Sequence, residues 1–192
     1  MLCIPMTKLY QVEFEYSGYS FEEQTEADPL NDAVGRVAMN FGDLEDVLSS
    51  CITYLIGAES EKGLTVTSEM PFKAKLHVLV SLIRKEYETR ELAISASDFA
   101  DLITMCTKSE EFRNTILHSS WIYDHSGPKT TVLRRKRSAK LRRGYQEHEE
   151  PLTPGQVLDI ADYIVTASWN LDEYFISCFE DYRRLLEHVR YA

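Results

Sequence analysis

Seven residues, Val34, Val37, Phe41, Leu44, Leu48, Cys51 and Leu55, follow one another at alternating steps of three and four. That spacing lays all seven along one side of a long α-helix, and an isolated helix has no means of covering such a stripe. Other helices must pack against it. Asp28-Pro29 reads as the start of this helix, because the aspartate can accept from free amide groups and proline loses nothing at the first helical position. Gly57 reads as its stop.

The same pattern recurs along the chain. Phe72, Leu76, Leu79, Ile83 and Tyr87 predict a second helix from about Pro71, after a polar connection, GAESEKGLTVTSEM. A third is predicted from Ser97 or Asp98 and carries Phe99, Leu102, Ile103, Cys106, Ile116 and Leu117. Thr153-Pro154-Gly155-Gln156 has the residues of a capping box and predicts a last helix bearing Ile160, Ile164, Leu171, Phe175, Cys178, Tyr182, Leu185 and Val189. Unbroken, it would run roughly 55 Å at about 1.5 Å per residue, so a bend near Ser168-Trp169-Asn170 or an overhang onto another chain is expected.

Two regions depart from the helical period. Residues 9–16, LYQVEFEY, alternate like a half-buried strand, and the acidic run from Glu22 to Asp28 reads as a solvated linker. From Trp121 to Glu150, WIYD and KTTVLRRKR flank the turn His125-Ser126-Gly127-Pro128, which predicts a basic hairpin or mobile loop. The expected fold is mainly α, a bundle of four to five helices with a short basic β-hairpin and an N-terminal strand-like arm. Residues 1–28 form the arm and acidic linker, and 29–192 the helical domain, with its hairpin at about 121–150.

With 192 residues and 44% hydrophobic content, one core can close. The formal net charge of −10 excludes nucleic-acid binding over the whole surface and confines any such contact to a local patch. Cys3, Cys51, Cys106 and Cys178 are scattered without zinc spacing, so they read as core thiols and no metal or other cofactor is expected. Lacking a signal-like start or a membrane-length apolar run, the chain is expected to be cytoplasmic and free of the membrane.

The candidate chemistry lies in EFRNTILHSSW, where Asn114 and His118 are one helical turn apart and Arg113 can reach the same point. Histidine exchanges protons near neutral pH, and arginine offers a rigid fork of donors to phosphate. Spacing alone proves little, since Arg143–His148 and Arg183–His188 repeat the R-x-x-x-x-H interval. The bland alternative pairs Arg113 with Glu110, uses Asn114 to end the helix and leaves His118 as a cation at the C-terminus.

FGDLEDVL on a long first helix, MPFKAKL opening a second and RNTILHSSW closing a third, followed by a hairpin and a long last helix, resemble the HEPN superfamily over roughly residues 30–190. The specific element is R-N-x-x-x-H at Arg113, Asn114 and His118. The resemblance implies a homodimeric, metal-independent endoribonuclease of a toxin–antitoxin or antiviral-defence kind, with a possible antitoxin or regulatory protein as partner. In it His118 would move the proton of a ribose 2′-hydroxyl, Arg113 would hold the phosphate, and Asn114 would orient the pair, giving 2′,3′-cyclic phosphate and 5′-hydroxyl ends. It also implies a polar residue on the first helix, with Glu45 or Asp43 as candidates, although Glu45, bordering the apolar stripe, better suits an ion pair across the bundle.

Arg134, Arg135, Lys136, Arg137, Lys140, Arg142 and Arg143 crowd one segment of an acidic chain. They are candidate RNA contacts, with Tyr123 and Tyr145 able to stack on bases. Equally, the run is a solvated hairpin or a surface for an acidic partner. A catalytically inactive helical interaction or dimerisation module is the alternative function.

Overall fold

The computed structural model describes residues 21–126, 131–140 and 144–182, with the side chains of 21–28, 139 and 140 excepted. The described chain is mainly helical, with a small antiparallel sheet. The elements are α1 (Phe21–Leu55), α2 (Ser60–Ser68), α3 (Phe72–Thr89), α4 (Ala96–Leu117), β1 (Ser120–Asp124), β2 (Thr131–Lys140), β3 (Gly144–Pro151) and α5 (Pro154–Cys178). The expected arm at 9–16, together with Leu185 and Val189, lies outside the described residues.

The stripe on α1 is the spine of the bundle. Val37, Phe41, Leu44, Leu48 and Cys51 are buried, and α2, α3, α4 and α5 all pack on this helix. Asn40 fastens it to α5 by donating from Nδ2 to the Ala161 carbonyl at 2.9 Å. At its far end Tyr182 closes over Tyr54 and Phe175, with ring centroids 5.5 and 5.1 Å away. Gly57 ends the helix with φ at 61° and donates to the Tyr54 carbonyl, as expected of a left-handed stop.

α1 starts earlier than Asp28-Pro29 suggests. The acidic segment taken for a linker is helical, and Pro29 lies inside the helix. A proline there removes one backbone hydrogen bond and costs about 3 kcal/mol, but Pro29 is exposed while its neighbours Leu30 and Ala33 are buried. Glu, Gln and Ala upstream are good helix formers, so the helix carries on through the defect.

α2 replaces what the sequence presents as a polar connection. It has no apolar stripe, and its buried residues are Gly63 and Thr67. Backbone proximity holds it instead: a Cβ at Gly63 would stand 2.2 Å from Thr53 Cγ2 on α1. α4 begins at Ala96, slightly ahead of expectation, because Ser95 Oγ caps it by accepting from the Asp98 amide at 3.2 Å.

α5 opens with the expected capping box: Gln156 N donates to Thr153 Oγ1 at 3.2 Å, and Thr153 N donates to Gln156 Oε1 at 2.8 Å. It is continuous helix through Ser168-Trp169-Asn170 and ends at Cys178, short of the full run that the apolar spacing predicts. The sheet has order β1-β2-β3, one strand more than the predicted hairpin.

Gly63→Ala is expected to cost about 1–3 kcal/mol by forcing α2 away from Thr53. Gly42→Ala, on an open face of α1, should instead add up to about 1 kcal/mol. Urea denaturation of the two variants beside wild type checks both signs.

Candidate functional site

The site forms where α4 ends. His118 is the C-cap residue, with φ −101° and ψ 18°, and its amide donates to the Asn114 carbonyl at 3.3 Å. Two residues later the chain is a strand, so the histidine sits at the corner between helix and sheet.

Arg113 Nη1 donates to Asn114 Oδ1 at 2.9 Å and lies 3.4 Å from His118 Nε2. The three residues singled out by sequence therefore meet. An arginine N–H can only donate, so His118 Nε2 faces it as acceptor and carries a lone pair in this contact. Asn114 and His118 are exposed, whereas Arg113 is half-buried. Its guanidinium carbon stands 5.3 Å from the centroid of the Phe41 ring, which in turn packs on Phe72 at 4.7 Å. The guanidinium is thus braced by an aromatic face from the core.

Arg113 Nε is enclosed and has no hydrogen-bond partner among the described residues. Among the described residues no ion pair reaches Arg113, and Glu110 does not neutralise it; nearby Glu111 pairs with Lys108 at 2.8 Å. Held this way, the guanidinium is bonded to an amide oxygen and an imidazole nitrogen and to no carboxylate among the described residues.

The accessory candidates on α1 do not join the cluster. Asp43 is exposed and Glu45 half-buried, and no hydrogen bond or ion pair connects either carboxylate to Arg113 or His118. Lys75, within the MPFKAKL stretch, is 6% exposed with no ion pair among the described residues. It is buried on α3 beside Leu76, and an apolar stripe does not reveal such a position because a lysine buries its stem as an apolar residue does.

The basic run is largely spoken for by carboxylates. β2 and β3 pair in a register that sets Arg134 opposite Glu150, Arg135 opposite Glu149 and Arg137 opposite Glu147. Arg135 Nε donates to Glu149 at 2.5 Å, and Arg137 Nε donates to Glu147 at 3.0 Å. Tyr145 also donates its hydroxyl to Glu147, so that tyrosine is tied to the strand. These hydrogen bonds, Tyr145's first and Arg137's next, hold the Glu147 carboxyl below its ordinary range. Lys136 faces His148 in the register and has no ion pair among the described residues. The side chain of Lys140 and all of Arg142 and Arg143 lie outside the described residues.

Arg134 is the exception to surface exposure, at 5%. It shares a sheet face with Trp121, Tyr123 and Val132, and the last three pack against the core. Its Nε donates to Glu150 Oε1 at 2.7 Å, and its Nη1 donates to Ser119 Oγ at 3.0 Å. Ser119 Oγ donates in turn to the Thr115 carbonyl at 2.6 Å. The opposing Arg and Glu runs of β2 and β3 were the available signal for this pairing.

Cys51 and Cys106 are buried free thiols, and burial pushes Cys106 up to about 12. Among the described residues, no group of three or more His, Cys, Asp or Glu could hold a metal ion, and no helix is long and apolar enough to cross a membrane. No protein-family model, curated protein or solved structure matches the chain.

Glu150 supplies a pH test. The Arg134 hydrogen bond, followed by the Arg134 charge and the contact with His148, holds its carboxyl below the usual range. A depressed folded-state value stabilises above the unfolded carboxylate range, and that contribution is lost as pH falls through the folded value. Glu150→Gln should therefore be less stable than wild type at pH 7 by about 1–2 kcal/mol, allowing for partial solvent screening. The gap should close in acid, as read by urea denaturation at neutral and acidic pH.

Proposed function

We propose that this chain is a metal-independent endoribonuclease of HEPN type that acts as a homodimer. The supporting observation is the convergence of Arg113, Asn114 and His118 at an exposed helix end, with one guanidinium nitrogen within reach of both other side chains. His118, presenting an unprotonated Nε2, takes the proton from a ribose 2′-hydroxyl. The oxygen then attacks the adjoining phosphorus, and the P–O5′ bond breaks. A second proton donor, which the partner's copy of the motif would supply, protonates the leaving oxygen. Products carry a 2′,3′-cyclic phosphate and a 5′-hydroxyl.

Arg113 grips the non-bridging oxygens as their charge grows. Asn114 fixes the guanidinium through its amide oxygen. RNA enters at the α4 corner rather than along the hairpin, where glutamates already occupy Arg135 and Arg137. A toxin or defence role, with a restraining partner, belongs to the same proposal.

A second function has its own support. An apolar groove of about 310 Å³ between α3 and α4, lined by Val80, Ile83, Tyr87, Phe99 and Ile103, and a Trp169 that is 67% exposed suit a protein-binding module.

Purified protein incubated with labelled single-stranded RNA and EDTA separates the two. As an enzyme it should cut, leaving cyclic phosphate ends; His118→Ala should lower the rate about 10²–10⁴-fold and Arg113→Ala about 10²–10³-fold, with the fold retained by circular dichroism. Cleavage that persists in both variants, or no cleavage by wild type, would favour the binding module.

A further inference from the structure

Arg134 stands out from the rest of the basic run. Its neighbours Arg135 and Arg137 meet glutamates on the opposite sheet face, yet Arg134 is turned inward and is one of few buried charged residues among those described. A guanidinium taken out of water needs a partner for its charge and acceptors for its donors. Glu150 provides the first at 2.7 Å, and Ser119 Oγ, at 3.0 Å, is a further acceptor.

Ser119 is the residue that follows His118. Its hydroxyl donates a hydrogen bond to the Thr115 carbonyl, one of the last carbonyls of α4 that lack a helical amide. The chain leaving the helix is therefore pinned on both sides of the imidazole. Before it, the His118 amide bonds to Asn114; after it, the Ser119 hydroxyl joins α4 to the middle strand of the sheet through Arg134. With those backbone torsions held, the ring is left facing Arg113 Nη1.

We propose that Arg134, acting through Ser119, is a positioning residue that fixes the His118 imidazole against Arg113, and that it does not bind RNA directly. Glu150 balances its charge. This rests on the ribonuclease proposal for its consequence in catalysis, but the positioning itself is a property of the folded chain.

The test is imidazole ¹⁵N NMR of His118 in four full-length variants: Arg134→Met, Ser119→Ala, Arg137→Met and Gly63→Ala. Wild type should show one tautomer, with Nε2 unprotonated above the titration of the ring. Arg134→Met and Ser119→Ala should both give averaged tautomers. Arg137→Met, which removes a charge from the same strand without touching Ser119, should leave the ring unchanged. Gly63→Ala should lower stability and leave it unchanged as well, which separates positioning from general loosening. If Arg134→Met does not fold, Ser119→Ala decides.

In the RNA assay the two positioning variants should lose about 10²-fold in kcat with KM kept within about twofold. His118 signals in folded Arg134→Met or Ser119→Ala that coincide with wild type would overturn the inference. Altered His118 signals in the two positioning variants, together with a wild-type protein that cuts no RNA, would uphold the positioning and remove the ribonuclease proposal alone.

Discussion

Phe41 belongs to two structures at once. As a member of the α1 stripe it is 4% exposed and packs on Phe72 with the rings tilted, within the surface on which every other helix packs. As a ring beneath Arg113 it is the wall of the candidate site. Burial of the stripe holds α1, α3 and α4 together at this point, and the same packing leaves an arginine at the edge of the core with no opposing carboxylate among the described residues. A guanidinium braced on an aromatic face loses less freedom when it binds than one on a free side chain.

The fold was legible wherever apolar residues kept a helical period. α1, α3, α4 and α5 follow from their stripes, and Gly57, Pro71 and Thr153 mark boundaries with their own chemistry. α2 was hidden because its contact with α1 is made by the absence of a side chain, at Gly63, and leaves no apolar pattern to read. β3 was hidden for the opposite reason: GYQEHEEP is polar throughout, and its pairing with β2 uses complementary charge where strand prediction looks for alternating burial. The helical segment ahead of Pro29 was concealed by a residue that usually begins helices.

At the site, spacing alone brought Arg113, Asn114 and His118 together, because positions four apart on a helix share a face and arginine is long. The basic run was only half legible. Charge counted along the chain says nothing of the strand that will lie beside it, and β3 delivers Glu147, Glu149 and Glu150 to Arg137, Arg135 and Arg134. Inward and outward faces of β2 then diverge: Arg134 becomes part of the interior, and its neighbours become paired surface ions. Surface pairs of this kind contribute little stability, but they take much of the local positive field with them.

Phosphate affinity should accordingly reside at the α4 corner. Side-chain NMR of ¹⁵N-labelled protein titrated with uridine 3′-monophosphate reads this directly. The Arg113 guanidinium and the His118 imidazole should shift together along one saturating curve, while Arg135 and Arg137 stay in place. Saturable shifts at Arg135 and Arg137, with Arg113 and His118 unmoved, would contradict a phosphate-gripping cluster at the end of α4.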